Sequence, residues 1–202
     1  DRIRWVWDRM HPRRTEDGRL LVDGIVVDIT DRKQTTEALA AAERQLRHIA
    51  YHDPLTGLPN RIAFQERLEQ AVSGNDPESS VLAVLFVDLD DFKLINDSFG
   101  HQAGDELLVA VAERLRGAAR SHEIVARHGG DEFLIVVFGD APTDGALDVD
   151  GVRHAAKAVA RRIRRGLREP FVVSGVEIFV SASIGISLYP LDAPDTATLL
   201  KH

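Results

Sequence analysis

The sequence predicts an α/β (α+β) fold in which helices cover a mixed central sheet. Three observations carry that expectation. "VLAVLFVDLD" (Val81–Asp90) is an unbroken apolar run ending in acids, and a strand apolar at successive positions is buried on both faces. "EIVAR" (Glu123–Arg127) and "EFLIVVF" (Glu132–Phe138) flank a Gly-Gly pair, which reads as two strands joined by a tight turn. After residue 80 the segments run strand, helix, helix, strand, strand, helix, strand, strand, and helices interleaved with strands imply a sheet with helices packed on it.

The elements follow in order. Residues 1–30 read as two strands, "RIRWVWDRM" and "LLVDGIVVDIT", around the turn "EDGR". Trp5 and Trp7 share a face and are expected to pack. Two strands alone are not stable, so this segment is expected to be the tail of a larger domain, with residues missing upstream. Residues 31–50 read as a helix capped by Thr30 or Asp31. Leu39, Ala42, Leu46 and Ile49 recur three, four and three apart. That spacing suits a parallel helix pair or an ordinary amphipathic helix. Pro54, Gly57 and Pro59 break the helix, and Asn60 caps the next, "RIAFQERLEQAV", whose Phe64, Leu68 and Val72 share a face. "SGNDPESS" is a loop before the apolar strand. "FKLINDSF" and "GDELLVAVAERLRGAAR" read as helices interrupted at Phe99–Gly100. "GDAPTDGALDVDG" is a loop, "VRHAAKAVARRIRRGLREP" a helix stopped by Pro170, and "FVVSGVEIFVSASIGISLYP" a second hairpin.

Composition narrows the function classes. With 25 Lys and Arg against 32 Asp and Glu, the net charge of −7 argues against a general nucleic-acid binder. The arginines of "ARRIRRGLR" flank an apolar face of Val159, Ile163 and Leu167, so they read as a solvated helix face. There is no cysteine, which excludes disulfides and thiolate metal sites. No apolar run reaches membrane-spanning length and no signal peptide is visible, so a cytoplasmic location is expected. His101, His122 and His128 form no helical pair and read as structural.

The chemistry gathers at strand ends. "DLDD" (Asp88–Asp91) closes the buried strand. It is either a solvated strand end or a carboxylate site at the edge where open sheets bind ligands. The next helix starts near Phe92 and Lys93; its free N–H groups form an anion site, and Lys93 adds a positive charge. Anion donors beside a carboxylate suit a phosphate held with Mg²⁺, which typically takes one or two carboxylates plus phosphates and waters. Asp131 and Glu132 supply further carboxylates if strand 132–138 lies beside strand 81–88; otherwise they are a solvated hairpin tip. Asn96 and Asp105 are either helix caps or a guanine reader, since Asn offers a donor and an acceptor and Asp two acceptors.

Together these segments resemble the diguanylate cyclase (GGDEF) family. The resemblance covers about residues 46–202 and rests on "DPLTGLPNR", "FVDLDDFKLINDSFGHQAGDELL", "RHGGDEF" and "VSASIGIS", in that order. It implies a palm-like, nucleotidyl-cyclase fold over 51–202. Residues 1–30 resemble the last strands of a PAS sensor domain, with a signalling helix over 31–50 between the two. The activity implied is condensation of two GTP into cyclic di-GMP with release of two pyrophosphates, in an antiparallel homodimer. By resemblance, Asp88, the Leu89 carbonyl and Asp131 hold Mg²⁺ (or Mn²⁺), and Glu132 assists at the metal or activates the 3′-hydroxyl. Phe92 N–H and Lys93 hold the β- and γ-phosphates, and Gly129 and Gly130 admit the α-phosphate. Asn96 and Asp105 read guanine, with Leu108 lining the pocket.

Two departures from the family pattern stand out. The product-inhibition motif Arg-x-x-Asp is here "RSHE", with Arg120 kept and Glu123 in place of Asp, so weakened or absent product inhibition is expected. The Lys/Arg-bearing segment that usually follows is not in the sequence. The alternative to an active cyclase is a weak GTP-binding module that controls a fused domain, such as an EAL phosphodiesterase.

Overall fold

The computed structural model describes residues 4–73, 81–120, 123–139 and 148–200. The chain separates into two compact units, Asp1–His48 and Ile49–His202. "SGNDPESS" (but for Ser73) and most of "GDAPTDGALDVDG" lie outside the described residues.

The first unit holds β1 (Val6–Arg14) and β2 (Leu20–Asp28), paired antiparallel from Val6↔Asp28 to Arg14↔Leu20. Both strands are exposed throughout, and Trp5 and Trp7 are each 49% exposed, not packed as the alternation suggested. The Lys33 ammonium lies over the Trp5 ring at 5.4 Å from its centroid. Helix α1 (Thr30–Tyr51) follows, with no buried residue along its length. Its start differs from the expected cap: Asp28 Oδ1 accepts from the Thr30 N–H at 2.9 Å, while Thr30 Oγ1 accepts from the Trp5 N–H at 2.9 Å.

The second unit is built on a four-stranded sheet of order β4-β5-β3-β8. It begins with α2 (Arg61–Ser73), whose cap is the expected one: Asn60 Oδ1 accepts from the Ala63 N–H at 3.0 Å. Strand β3 (Leu82–Leu89) runs through the middle of the sheet, antiparallel to β5 (Glu132–Phe138) and to β8 (Ala182–Tyr189). Its residues alternate between two cores. Ala83, Leu85, Val87 and Leu89 pack with α4 (His101–Ala118) and α5 (Val149–Leu167), through Leu107, Val111, Val159 and Ile163. Leu82 and Val84 pack on the other face with Phe64 and Leu68 of α2 and Leu199 of α6 (Thr196–Leu199). A strand covered on both sides has no place for polar residues until it leaves the layers, which is why acids appear only from Asp88 onward.

Helix α3 (Phe92–Phe99) and α4 are separate, as expected, and break at Gly100, where φ is 85°. β4 (Ile124–Gly129) pairs with β5. The segment 171–190 is not one hairpin. Phe171–Val173 (β6) and Val176–Ile178 (β7) form a small sheet of their own, and β8 crosses to the edge of the main sheet beside β3. "SG" at Ser174–Gly175 makes the small turn, with Ser174 at φ 49° and Gly175 at φ 80°. Arg114 of α4 anchors this corner: it donates to the carbonyls of Gly166 in the last turn of α5 and of Glu169 and Pro170 beyond it, and its guanidinium lies 3.6 Å from the Phe171 ring centroid.

Candidate nucleotide and cation site

Three elements meet where β3 leaves the sheet. Asp88, at the exposed end of β3, stands opposite Glu132 on one side and Ser183 on the other. The Leu89 N–H reaches the Asp131 carbonyl at 3.4 Å, so the hairpin tip lies against the last residues of β3. Partial withdrawal from water, then the charges of Asp131, Glu132 and Asp90, push the Asp88 carboxyl above the ordinary aspartate value. Several acids converge here, which is the environment a cation relieves.

The hairpin turn is not the Gly-Gly pair itself. Gly129 pairs with Glu132, and the turn residues are Gly130 and Asp131, with a register irregularity between Arg127 and Gly129. Gly130 has φ 54°, a left-handed conformation that favours glycine. A Cβ added at either glycine would meet no protein atom within 4 Å, so this face of the tip is open. Beneath it a cavity of about 230 Å³ is lined by Asp88, Glu132, His128, Phe86 and Leu200 among others. His128 Nδ1 is buried there without a hydrogen-bond partner.

Beyond β3 the chain turns sharply at Asp91, a non-glycine residue at φ 57° and ψ 21°. Leu94 and Ile95 N–H groups bond back to the Asp91 carbonyl at 2.9 and 3.3 Å. The N–H groups of Phe92 and Lys93 precede that ladder and remain outside it. Phe92 is buried by its ring, whereas Lys93 is exposed.

Asn96 and Asp105 come from α3 and α4, which pack together. Asn96 Oδ1 lies 1.9 Å from where a Cβ on Gly104 would stand. The carboxamide is therefore pressed against the backbone next to Asp105, which is exposed. Leu108, one turn further along α4, is 2% exposed and belongs to the core below.

The model of the family described as "Diguanylate cyclase, GGDEF domain" matches residues 50–202. The chain belongs to the GGDEF diguanylate cyclase family. Among curated relatives it is 43% identical over 155 residues to the bifunctional diguanylate cyclase/cyclic di-GMP phosphodiesterase MucR of Pseudomonas aeruginosa, covering 77% of this chain and 21% of MucR. It is 40% identical over 161 residues to the cyclic di-GMP phosphodiesterase NbdA of the same organism, covering 80% of this chain and 19% of NbdA. The chain thus spans about a fifth of the length of each. A solved structure of TpbB from P. aeruginosa comprising only the GGDEF domain superposes with TM-score 0.62 at 41% identity, covering 74% of this chain and 82% of that one.

Several residues of this GGDEF domain escaped the sequence reading. Arg127 donates from Nε and Nη2 to the Gly130 carbonyl at 3.0 and 2.7 Å, and from Nη1 to Asp53 Oδ1 at 2.9 Å. Asp53 also accepts from the Thr56 N–H and hydroxyl at 2.8 and 2.7 Å. Burial opposes ionisation of Asp53, but the bonds from Thr56 and Arg127 outweigh it and hold its carboxyl below the ordinary range. Asp90 accepts from Ser181 Oγ and Ser183 Oγ, and these bonds hold its carboxyl low as well. The charged, structure-breaking character of "HDPLTGLPNR" was the available signal for Asp53, but nothing local pointed to its partner.

Arg120 and Glu123 are joined, but inwardly. Glu123 Oε2 accepts from the Arg120 N–H at 2.7 Å and from Arg162 Nη2 of α5 at 2.8 Å, and the Glu123 side chain is 2% exposed. His122 lies outside the described residues. Among the described residues no helix is long and apolar enough to cross a membrane.

Proposed function

We propose that this domain is an active diguanylate cyclase, joining two GTP into cyclic di-GMP with release of two pyrophosphates. The observation that carries the reading is Asp88 set opposite Glu132, with the Asp131 carbonyl within reach of the Leu89 N–H and the Asp88 carboxyl pushed up by its acidic neighbours. Among the described residues no three His, Asp or Glu side chains form a ready-made metal cage. Two carboxylates and a carbonyl fit Mg²⁺ or Mn²⁺, because nucleotide phosphates and waters complete the shell. Asp88, Asp131 and the Leu89 carbonyl are the donors in this reading. When bound, the cation neutralises charge on the phosphates and activates an oxygen nucleophile.

The protein groups divide the remaining work. Phe92 N–H and Lys93 hold the β- and γ-phosphates at the α3 N-terminus. Gly129 and Gly130 leave the hairpin face open to the α-phosphate. Asn96 and Asp105 bind the guanine edge above Leu108. Each 3′-hydroxyl attacks the other nucleotide's α-phosphorus, forming a P–O bond as the bond to the pyrophosphate oxygen breaks. Glu132, exposed at the tip, assists at the cation or takes the hydroxyl proton in this reading. One site holds one nucleotide, so two copies must face each other, and two-fold symmetry presents equivalent groups reciprocally. Residues 1–30 act in this reading as the end of a PAS sensor, and α1 as the signalling helix, with exposed Leu39, Leu46 and Ile49 as its pairing seam.

A second reading is a weak GTP-binding module that regulates a fused phosphodiesterase domain. What favours it is the likeness to NbdA, described as a phosphodiesterase, and to MucR, described as both cyclase and phosphodiesterase, each far longer than this chain. The test is incubation with GTP and Mg²⁺, with product read by chromatography. Cyclic di-GMP and pyrophosphate that vanish in Asp131→Ala support the cyclase. GTP binding that depends on Asp105 without any product supports the module.

A further inference from the structure

Asp90 is given no ligand role in the reading above, yet it is fastened at three points to Ser181 and Ser183, where β8 begins. Its N–H donates to the Ser181 carbonyl at 2.9 Å. Ser181 Oγ donates to one carboxylate oxygen at 2.5 Å and Ser183 Oγ to the other at 2.7 Å. Ser183 belongs to β8, the strand lying on the opposite side of β3 from the GGDEF hairpin, and Ser181 immediately precedes it. Each hydroxyl finds its own carboxylate oxygen, so both Asp90 oxygens accept a bond.

The geometry of the Leu89–Asp90 peptide gives this fastening a consequence. In a trans peptide the N–H and C=O point in opposite directions. The N–H of this unit is directed at β8, so the Leu89 carbonyl is directed the other way, toward β5. The Leu89 N–H agrees, since it reaches the Asp131 carbonyl on the β5 side. The same contacts draw the Asp90 side chain toward β8, away from the hairpin tip.

We infer that Asp90 is a positioning residue. Clamped by Ser181 and Ser183, it sets the Leu89 carbonyl toward the cation site and keeps its own carboxylate out of the coordination shell. This rests on the reading of Asp88, the Leu89 carbonyl and Asp131 as the cation's ligands. Groups that orient metal ligands are themselves sensitive, and losing them commonly weakens metal affinity about 10- to 100-fold.

The test measures cation binding, not turnover. Mn²⁺ is titrated into the full chain by electron paramagnetic resonance, with and without guanosine 5′-[α,β-methylene]triphosphate, for the parent, Asp88→Ala, Asp90→Ala, Ser183→Ala and the Ser181→Ala/Ser183→Ala pair. The serine pair and Asp90→Ala are expected to weaken Mn²⁺ binding by about tenfold or more. Affinity for the analogue in EDTA and the circular dichroism spectrum should stay unchanged. Ser183→Ala, the mildest change, is expected to show a smaller loss in the same direction and serves if the pair fails to fold. Unaltered Mn²⁺ binding in Asp88→Ala would sink the cation-site reading itself. Loss in Asp88→Ala with parental affinity in the serine variants would overturn the positioning role. Loss in Asp90→Ala alone would make Asp90 a direct ligand, which also overturns it.

Discussion

Arg127 Nη1 stands 2.9 Å from Asp53 Oδ1, a partner 74 residues earlier in the chain, while the rest of its guanidinium grips the Gly130 carbonyl. One planar fork thereby ties the turn after α1 to the tip of the GGDEF hairpin. Arg127 and Asp53 keep only 11% and 18% of their side chains exposed, so the pair is little screened by water.

Arg127→Ala is expected to lower the unfolding free energy by about 1.5–3 kcal/mol, the usual range for hydrogen bonds to charged groups. Displacing the hairpin tip should also cut cyclic di-GMP formation about ten- to a hundredfold. Arg127→Lys keeps the charge beside Asp53 but cannot span both acceptors. It should recover part of the stability and little of the turnover. Urea unfolding and initial rates check both, and parental turnover in the Lys variant would show that the fork does not position the tip.

Asp53 also sets a pH dependence. Its folded carboxyl titrates below an unfolded aspartate, whose value is about 3.9. A depressed acid stabilises the fold fully above its unfolded value, and that contribution is lost as pH falls through the folded one. The thermal midpoint of the parent should therefore drop more steeply than that of Asp53→Asn as pH falls below about 4. Asp90 is depressed as well, so the comparison with Asp53→Asn is what isolates this pair. Equal slopes would remove the assignment.

Gly104 separates stability from recognition. Alanine within a helix gains about 1 kcal/mol over glycine, whereas overpacking costs about 1–3 kcal/mol. The new Cβ would meet Asn96 Oδ1 at 1.9 Å and the Phe92 ring at 3.2 Å, and the Asn96 carboxamide is the group free to turn away. Gly104→Ala should leave the thermal midpoint nearly unchanged while weakening GTP binding about tenfold, the loss of one good hydrogen bond to the base. Calorimetric titration with GTP decides it; full affinity would remove Asn96 from guanine reading.

Glu123 bears on feedback. Its carboxylate is consumed by Arg162 and the Arg120 N–H and is almost wholly buried. Added cyclic di-GMP should therefore leave the initial rate unchanged, and inhibition at micromolar product would refute this. Arg162→Ala should destabilise by about 2–3 kcal/mol, less than for a fully buried pair, because 27% of the Arg162 side chain remains exposed.

What could be read from the sequence followed how local its cause was. The β3 and β5 runs, the Asn60 cap and the break at Gly100 each declare themselves within a few residues. Asp88 and Glu132 were legible because each sits at the end of an apolar run, and the sheet order that joins them follows from ordinary packing. Asp53–Arg127 and Asp90–Ser181 were not, because such pairs are set by which loops the sheet brings together. β8 was misassigned for the same reason: "VEIFVSASIGIS" carries a turn signal before it, and only long-range pairing with β3 reveals where the strand goes. The hairpin turn shifted by one residue because a register irregularity at Arg127–Gly129 is invisible to alternation.

The central place of β3 also orders events during synthesis. Asp88 and Asp90 leave the ribosome early, but their neighbours Glu132, Ser181 and Ser183 are translated much later. Domains fold as their chain emerges, and long-range strand pairing waits for both partners. A nascent chain halted before β8 therefore already carries the Gly129–Phe133 hairpin motif, with the end of β3 still unpaired on one side. β8 completes the centre, so a translation product interrupted before it keeps the hairpin motif and lacks the finished site.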